Sequence, residues 1–224
     1  MSNTSDREQP RGDGVRTRSG STARRFLLAC GIVGPPLFIV AFLVEGVTRA
    51  GYNGLTQPIS SLEAGPLGWM QQVNFLVFGL LIACFAVALR MALIQGIGSF
   101  WGPLLEGFVA LGLVGDGIFT QDPLHTIWDV VTFTAAMGVC FVLARRFATD
   151  ARWRGWATYS IATAVLMVLC LVLFGGNLRH HGDAGLFERL AVLVRSLWTV
   201  LFIARLLRGT GFSPQPEVSL PGAA

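Results

Sequence analysis

The sequence predicts an all-α membrane protein with six transmembrane helices, on the evidence of its composition, its apolar segments and its arginines. Hydrophobic residues make up 53 % of the 224 residues and charged residues only 13 %, against roughly 25 % charged residues in soluble domains. With a mean hydropathy of +0.59, the chain has too few charges to cover a soluble fold. Soluble, disordered and disulfide-scaffold classes are therefore excluded.

Six apolar segments supply the helices, because a hydrocarbon core of about 30 Å needs roughly 20 helical residues. In chain order they cover residues 26–47, 70–89, 103–120, 126–144, 156–174 and 188–206. Residues 24–208 are therefore interpreted as one transmembrane domain, in which short connections make sequential helices antiparallel neighbours. The polar residues 1–23 predict a disordered cytoplasmic arm, and the Pro/Gly-rich residues 209–224 predict a flexible cytoplasmic tail.

Arginine placement predicts the orientation. All 17 basic residues are arginine, and 13 fall on one side of the predicted bundle against three on the other. Because cytoplasmic loops carry the excess of basic residues, both termini are predicted to be cytoplasmic. The basic isoelectric point follows from these membrane-flanking arginines, so the predicted partner is the lipid bilayer and not nucleic acid. The four cysteines lie in apolar segments without a CxxC spacing, which indicates buried hydrophobic side chains.

Ionisable residues inside apolar segments indicate where function is to be sought, because each costs about 2.5–3.5 kcal/mol on insertion. Glu106 is expected near the cytoplasmic end, paired with Arg90 or Arg145. Four others come from four different helices and fall in the outer leaflet: Glu45, Asp116, Asp129 and Arg195. A lone arginine at that depth is costly, so Arg195 is predicted to pair with Asp116 or Asp129.

The outer loops add further candidates to this outer polar pocket. Asp122, His125 and Asp129 are spaced i, i+3, i+7, and Pro123 suits the first turn of a helix. The pattern fits a metal or proton site, but Asp122 also fits a helix cap. Three histidines without an HxxxH pair are a weak metal signal, so neither a metal nor another cofactor is predicted. Weaker candidates are Ser60 and Ser61, which need a base such as His125 to act as nucleophiles, and His180 and His181.

Two local patterns predict structure rather than chemistry. Ser60-x-x-Glu63 matches a capping box, which predicts a short interfacial helix ended by Gly65. The third apolar segment carries Gly107, Gly112, Gly115 and Gly117, and small residues let helices approach closely. These glycines place helix three at the centre of the bundle, beside helix four.

Several motifs together resemble the bacterial membrane family catalogued as domain of unknown function 998. They are Gln57-Pro58-Ile59-Ser60-Ser61-Leu62, Gly65-Pro66-Leu67-Gly68-Trp69, Asn74-Phe75 with Gly79, Gly115-Asp116-Gly117-Ile118-Phe119 with Asp122-Pro123, His125, Gly185-Leu186-Phe187-Glu188-Arg189, Trp198 and Arg205-Leu206. The resemblance covers about residues 26–208. It implies a six-helix bundle in a bacterial plasma membrane, and it implies no established activity or catalytic residue.

Three functions fit these observations. The first is the binding or movement of a small solute or lipid through the outer polar pocket formed by Glu45, Asp116, Asp122, His125, Asp129 and Arg195. The second is an intramembrane lipid hydrolase with an Asp/His site at the extracytoplasmic face. The third is a structural assembly partner whose polar pairs only fix helix register. The sequence indicates no particular substrate, oligomeric state or protein partner.

Overall fold

The computed structural model describes residues 13–120, 123–180 and 182–208, with side chains from residue 22 onward. Within these ranges the chain forms six α-helices: α1 (Asp13–Thr48), α2 (Gly68–Ala92), α3 (Trp101–Ile118), α4 (Pro123–Ala148), α5 (Trp156–Arg179) and α6 (Ala184–Leu207). Two short 3₁₀ helices, η1 (Ile59–Glu63) and η2 (Ala151–Trp153), lie in connections. The candidates Asp122 and His181 and the predicted tail at 209–224 lie outside the described residues.

Within the described residues, five helices are long and apolar enough to cross a membrane: α2, α4, α5, α6 and the Thr22–Thr48 part of α1. The chain is thus a multi-pass membrane protein. The remaining helix, α3, has 18 residues and carries Glu106 and Asp116, both buried. Acids and glycines lower its apolar content, and both acids point into the bundle rather than toward lipid.

The first helix begins at Asp13, within the segment 1–23 for which the sequence predicts a disordered arm. Extending a helix adds one hydrogen bond per residue, whereas starting one is costly. No proline lies between Pro10 and Pro35, so the helix of the apolar segment continues into the polar arm. The helix also runs through Pro35 and Pro36 without a break.

The helices follow one another around a ring, in which each packs against its sequence neighbours and α6 closes the ring against α1. The prediction that sequential helices are neighbours is confirmed, and α3 does lie beside α4. The prediction that α3 is central is wrong, because it occupies one place in the ring. We call the end of the bundle that carries η1 the η1 end; α1, α3 and α5 end there, and α2, α4 and α6 begin there.

Glycines of α3 explain its close packing against α4. A Cβ added to Gly112 would lie 2.1 Å from Oγ1 of Thr132, and one added to Gly115 would lie 2.3 Å from the Trp128 ring. Gly117 instead faces α2, and a Cβ added to it would lie 2.9 Å from the backbone carbonyl oxygen of Gln72. Because these three glycines have no side chain, α3 approaches both neighbouring helices closely, as the small-residue pattern predicted.

The half of the bundle away from the η1 end is filled with aromatic rings. Phe147 stacks on Trp153 with ring centroids 4.7 Å apart, and Trp198 stacks on Phe202 at 5.1 Å. Trp198 also donates from Nε1 to Oγ of Ser160, which joins α6 to α5. We call this set the aromatic plug: Phe147, Trp153, Trp156, Trp198 and Phe202. The half of the bundle at the η1 end is therefore the half that has space inside.

Side chains of Arg49, which directly follows α1, and of Glu188 in α6 hold the η1 segment over the bundle. Arg49 donates to the carbonyls of Leu62 and Ala64 at 2.5 and 2.6 Å, and Glu188 accepts from the backbone N–H of Ile59 at 2.7 Å. The predicted short helix is present, and Gly65 follows it with φ +79°.

The predicted capping box is wrong. The residue before η1 is Pro58, which makes no side-chain capping hydrogen bond. Glu188 of α6 accepts from the first N–H of η1 instead, and Glu63 turns inward and is buried.

Candidate functional site

A cavity of about 70 Å³ lies on the axis of the ring and receives residues from all six helices and from η1. One wall is aromatic, with Phe38 stacked on Phe78 at 4.6 Å and close to Phe75 at 5.3 Å. The other helices contribute polar side chains interspersed with apolar ones such as Val109, Leu113 and Met167; the polar ones are Glu106, Asp116, Asp129, Thr132, Glu188, Arg195, Ser196 and Thr199. Because the cavity ends at the apolar core that contains the aromatic plug, it is a blind pocket.

Acidic groups gather around His125 at the η1 end. Its Nδ1 lies 3.8 Å from Oε2 of Glu63, and its Nε2 lies 3.6 Å from Oδ2 of Asp129. His125 and Asp129 share one face of α4 because they are four residues apart. Asp116 joins them from α3, so that one ligand atom from each of Asp116, His125 and Asp129 lies within 4.8 Å of the other two.

Burial sets the electrostatics of this cluster. The Glu63 side chain is fully buried, and desolvation, with smaller effects from Asp129 and Glu45, raises the pKa of Glu63 to about 8. Neither oxygen of Glu63 has a hydrogen-bond partner among the described residues. A carboxyl with this pKa holds its proton near neutral pH, which lowers the charge repulsion within the cluster.

Asp116 is almost fully buried. Its Oδ2 accepts a long hydrogen bond of 3.4 Å from Oγ1 of Thr132, while its Oδ1 has no hydrogen-bond partner in the described part of the chain. The close approach at Gly112 brings Thr132 to this carboxyl. One oxygen of Asp116 is therefore available to an occupant of the cavity.

Arg195 pairs with Glu106 and not with Asp116 or Asp129, so the predicted partner is wrong. Nη2 of Arg195 lies 2.6 Å from Oε2 of Glu106, and Nη1 donates to Thr199. Its guanidinium also lies 4.9 Å from the Trp198 ring centroid. Because Glu106 is buried and bonded to Arg195, it is likewise not the partner of Arg90 or Arg145 that the sequence predicted.

The helix boundaries explain why Arg195 pairs with Glu106. Because α6 begins at Ala184, four residues before the predicted start, Arg195 lies about 17 Å from the η1 end at 1.5 Å per residue. Glu106 lies about 18 Å from the same end, where α3 finishes at Ile118. The two side chains are therefore level, whereas Asp116 is only about 3 Å from the end of α3.

Glu45 lies outside the cavity lining and serves the η1 segment. Its Oε1 accepts from Arg49 at 2.7 Å, and Arg49 in turn holds the carbonyls that follow η1. His180 ends α5 and is exposed. Neither residue belongs to the Asp116–His125–Asp129 group.

Ser60 and Ser61 line a separate surface hollow of about 310 Å³ together with Glu63 and His125. Both nitrogens of His125 lack a hydrogen-bond partner among the described residues. The serines are thus brought to the same hollow as the base that they require, without a hydrogen bond to it.

Glu63 and Glu188 are site residues that sequence reasoning missed. Glu188 was treated as the start of the sixth span, but it lines the cavity and is buried. A signal was present, because Glu188, Val192, Arg195 and Thr199 follow the i, i+4, i+7, i+11 spacing of one helix face. All four line the cavity. Glu63 had no such signal, because its burial depends on how η1 folds back over the bundle.

Comparison with known families identifies the chain. The family model described as "Protein of unknown function (DUF998)" matches residues 32–205, which is more than half of the sequence. The chain therefore belongs to this family, and the resemblance predicted from its motifs is confirmed. No curated protein and no solved structure matches the chain.

Proposed function

We propose that this DUF998 protein binds a small organic cation in the axial cavity, and that the cation enters at the η1 end from outside the cell. The observation that carries the proposal is that several buried carboxyl groups and a group of aromatic rings line one and the same cavity. The 13-to-3 arginine asymmetry supports an orientation with both termini in the cytoplasm. The η1 end is then extracytoplasmic.

The charges of the lining select a cation. Arg195 is neutralised by Glu106, which also lines the cavity. Three further lining carboxyls, Asp116, Asp129 and Glu188, have no cationic partner in the lining of the cavity. The rings of Phe38, Phe75 and Phe78 offer the aromatic faces to which an ammonium group is attracted.

The size of the cavity suits a small occupant. Its volume of about 70 Å³ is several times the minimum that holds one water molecule, so a short alkylammonium of a few non-hydrogen atoms is a suitable probe. The aromatic plug closes the opposite end, which favours a binding or occlusion step over an open channel.

A charge series of equal-sized probes tests the proposal. The full chain in detergent with a chelator is titrated with propylammonium, propanol and propionate, and its thermal unfolding midpoint is followed. We expect propylammonium to raise the midpoint most and propionate to have no effect. Equal shifts with all three probes would refute selection for a cation.

Two variants test whether propylammonium binds in the axial cavity. Glu188→Gln keeps the acceptor for the Ile59 N–H and removes the charge. We expect it to weaken propylammonium binding at least about tenfold, because a hydrogen bond to a charged group contributes about 1.5–3 kcal/mol. Glu45→Gln is the matched control, since Glu45 does not line the cavity. If both variants bind as the wild type does, the cation is bound elsewhere.

The surface hollow supports a second candidate function, the hydrolysis of a lipid ester at the extracytoplasmic face. Ser60, Ser61 and His125 line it together, which meets the requirement of a serine nucleophile for a nearby base. A fluorophosphonate probe would label the wild type. Labelling would be lost in one of the variants Ser60→Ala and Ser61→Ala, which identifies the nucleophile, and also in His125→Gln, which removes the base. Absence of labelling in the wild type rejects this function and leaves the cation proposal intact.

A further inference from the structure

The geometry points to a binding site for one divalent metal ion, with Zn²⁺ as the best match, formed by Asp116, His125 and Asp129. The three ligand atoms lie within 4.8 Å of one another. In a tetrahedral zinc site with bonds of about 2.0–2.2 Å, the ligand atoms are about 3.3–3.6 Å apart. Nε2 of His125 and Oδ2 of Asp129 are already 3.6 Å apart, and the remaining separations must close by up to about 1.5 Å. Asp129, whose side chain is 34 % exposed, has the freedom to make part of this adjustment.

Unpartnered buried atoms are the independent observation that calls for a ligand. Only 9 % of the His125 side chain is exposed, yet both its nitrogens lack a hydrogen-bond partner among the described residues. The same holds for Oδ1 of Asp116. A buried polar group without a partner destabilises a fold. An ion between these atoms would satisfy two such groups at once.

The surroundings of His125 resemble those of a metal-bound histidine. Such a histidine nearly always directs its second ring nitrogen to a carboxylate or a carbonyl. Here Glu63 lies 3.8 Å from Nδ1, while Asp129 lies 3.6 Å from Nε2. We therefore assign Nε2 as the metal ligand and Glu63 as the residue that orients the ring.

The donor set selects the metal. One imidazole and two carboxylates suit Zn²⁺ or Mn²⁺, whereas Ca²⁺ requires six to eight oxygen ligands. Two carboxylates and a divalent ion sum to zero charge, which lowers the cost of burying them. Three protein ligands leave a fourth position open, as in zinc sites that bind an exchangeable water or a substrate.

The metal site and the cavity share Asp116 and Asp129, whereas His125 is absent from the cavity lining and Glu188 is absent from the ligand set. His125→Gln therefore tests the metal without removing a cavity carboxyl, and Glu188→Gln tests the organic cation without removing a metal ligand. The cation titration is made with a chelator and the zinc titration without an alkylammonium, so the failure of one proposal is distinguishable from the failure of the other.

Zinc binding to the full chain in detergent tests the site. The protein is stripped with a chelator, desalted and titrated with Zn²⁺, while bound metal and the thermal unfolding midpoint are measured. We expect one Zn²⁺ per chain and a zinc-dependent rise in the midpoint. His125→Gln and Asp129→Asn should each lower the affinity by at least about tenfold, since even outer-shell changes cost 10–100-fold. His180→Gln and Glu45→Gln are matched controls that should bind as the wild type does.

Cobalt gives a second readout at the same site. Co²⁺ in a four-coordinate N/O site absorbs visible light, and this absorption should appear in the wild type and vanish in His125→Gln. If His125→Gln fails to fold, the partly exposed Asp129 still provides the test. The inference is overturned if the stripped wild type takes up no stoichiometric Zn²⁺. It is equally overturned if Asp129→Asn and His180→Gln bind zinc equally well.

Discussion

Breaking the buried ion pair between Glu106 and Arg195 should destabilise the bundle far more than removing both charges together. The charged atoms are 2.6 Å apart, and the side chains are 1 % and 10 % exposed. Removing one partner of such a pair costs about 3–5 kcal/mol, because the other charge is left buried without compensation. Arg195→Met and Glu106→Leu are therefore each expected to lower the free energy of unfolding by that amount.

The double variant distinguishes the charge effect from lost packing. Two apolar side chains of similar volume often replace a buried pair at little cost. Arg195→Met/Glu106→Leu should thus be at least about 2 kcal/mol more stable than the sum of the single losses predicts, within the range of coupling energies for residues in contact. Arg195 also contacts Thr199 and Trp198. Part of the stability lost in Arg195→Met should therefore remain lost in the double variant.

Unfolding of the full chain in mixed micelles, followed by helical circular dichroism during titration with dodecyl sulfate, measures these free energies. A coupling energy near zero would refute the reasoning, because the two charges would then contribute independently. A double variant less stable than either single variant would show that the pair is held by packing and not by charge.

Further predictions concern the packing of α3 and the anchoring of η1. Gly112→Ala should lower the free energy of unfolding by about 1–3 kcal/mol through overpacking against Thr132. Gly107→Ala is the control, since its added Cβ meets no atom within 4 Å in the described chain. Equal thermal unfolding midpoints for the two variants would contradict this prediction. Arg49→Met removes two hydrogen bonds to the carbonyls of Leu62 and Ala64, so limited proteolysis should cut near η1 faster than in the wild type. An unchanged cleavage rate would mean that Arg49 is not the anchor.

Much of the fold could be predicted from the sequence because its signals are local. Apolar segments near 20 residues fix the number and the order of the helices, and the glycines of α3 indicate its close contact with α4. Helix ends carried less information. The start of α6 at Ala184 and the extension of α1 back to Asp13 depend on polar residues that can be helix or loop.

The candidate site could be predicted only in part, because side-chain partners depend on the rotation and depth of each helix. His125 and Asp129 share a face by spacing alone, and that part of the site follows from the sequence. The pairing of Arg195 with Glu106 required the depth of both helices, and an error of four residues moved Arg195 by about 6 Å. Predicting the burial of Glu63 requires knowing how η1 folds back over the bundle, and no periodic sequence pattern indicates this.

Entry of the cation from outside the cell requires the η1 end to face outward, and cysteine labelling in intact cells tests this directly. Ala64 follows η1 and Ala151 begins η2 at the opposite end, and both are exposed. With a membrane-impermeant maleimide, Ala64→Cys should react in intact cells, and Ala151→Cys should react only after permeabilisation. The reverse pattern would place the acidic cluster on the cytoplasmic side and contradict the entry of a cation from outside.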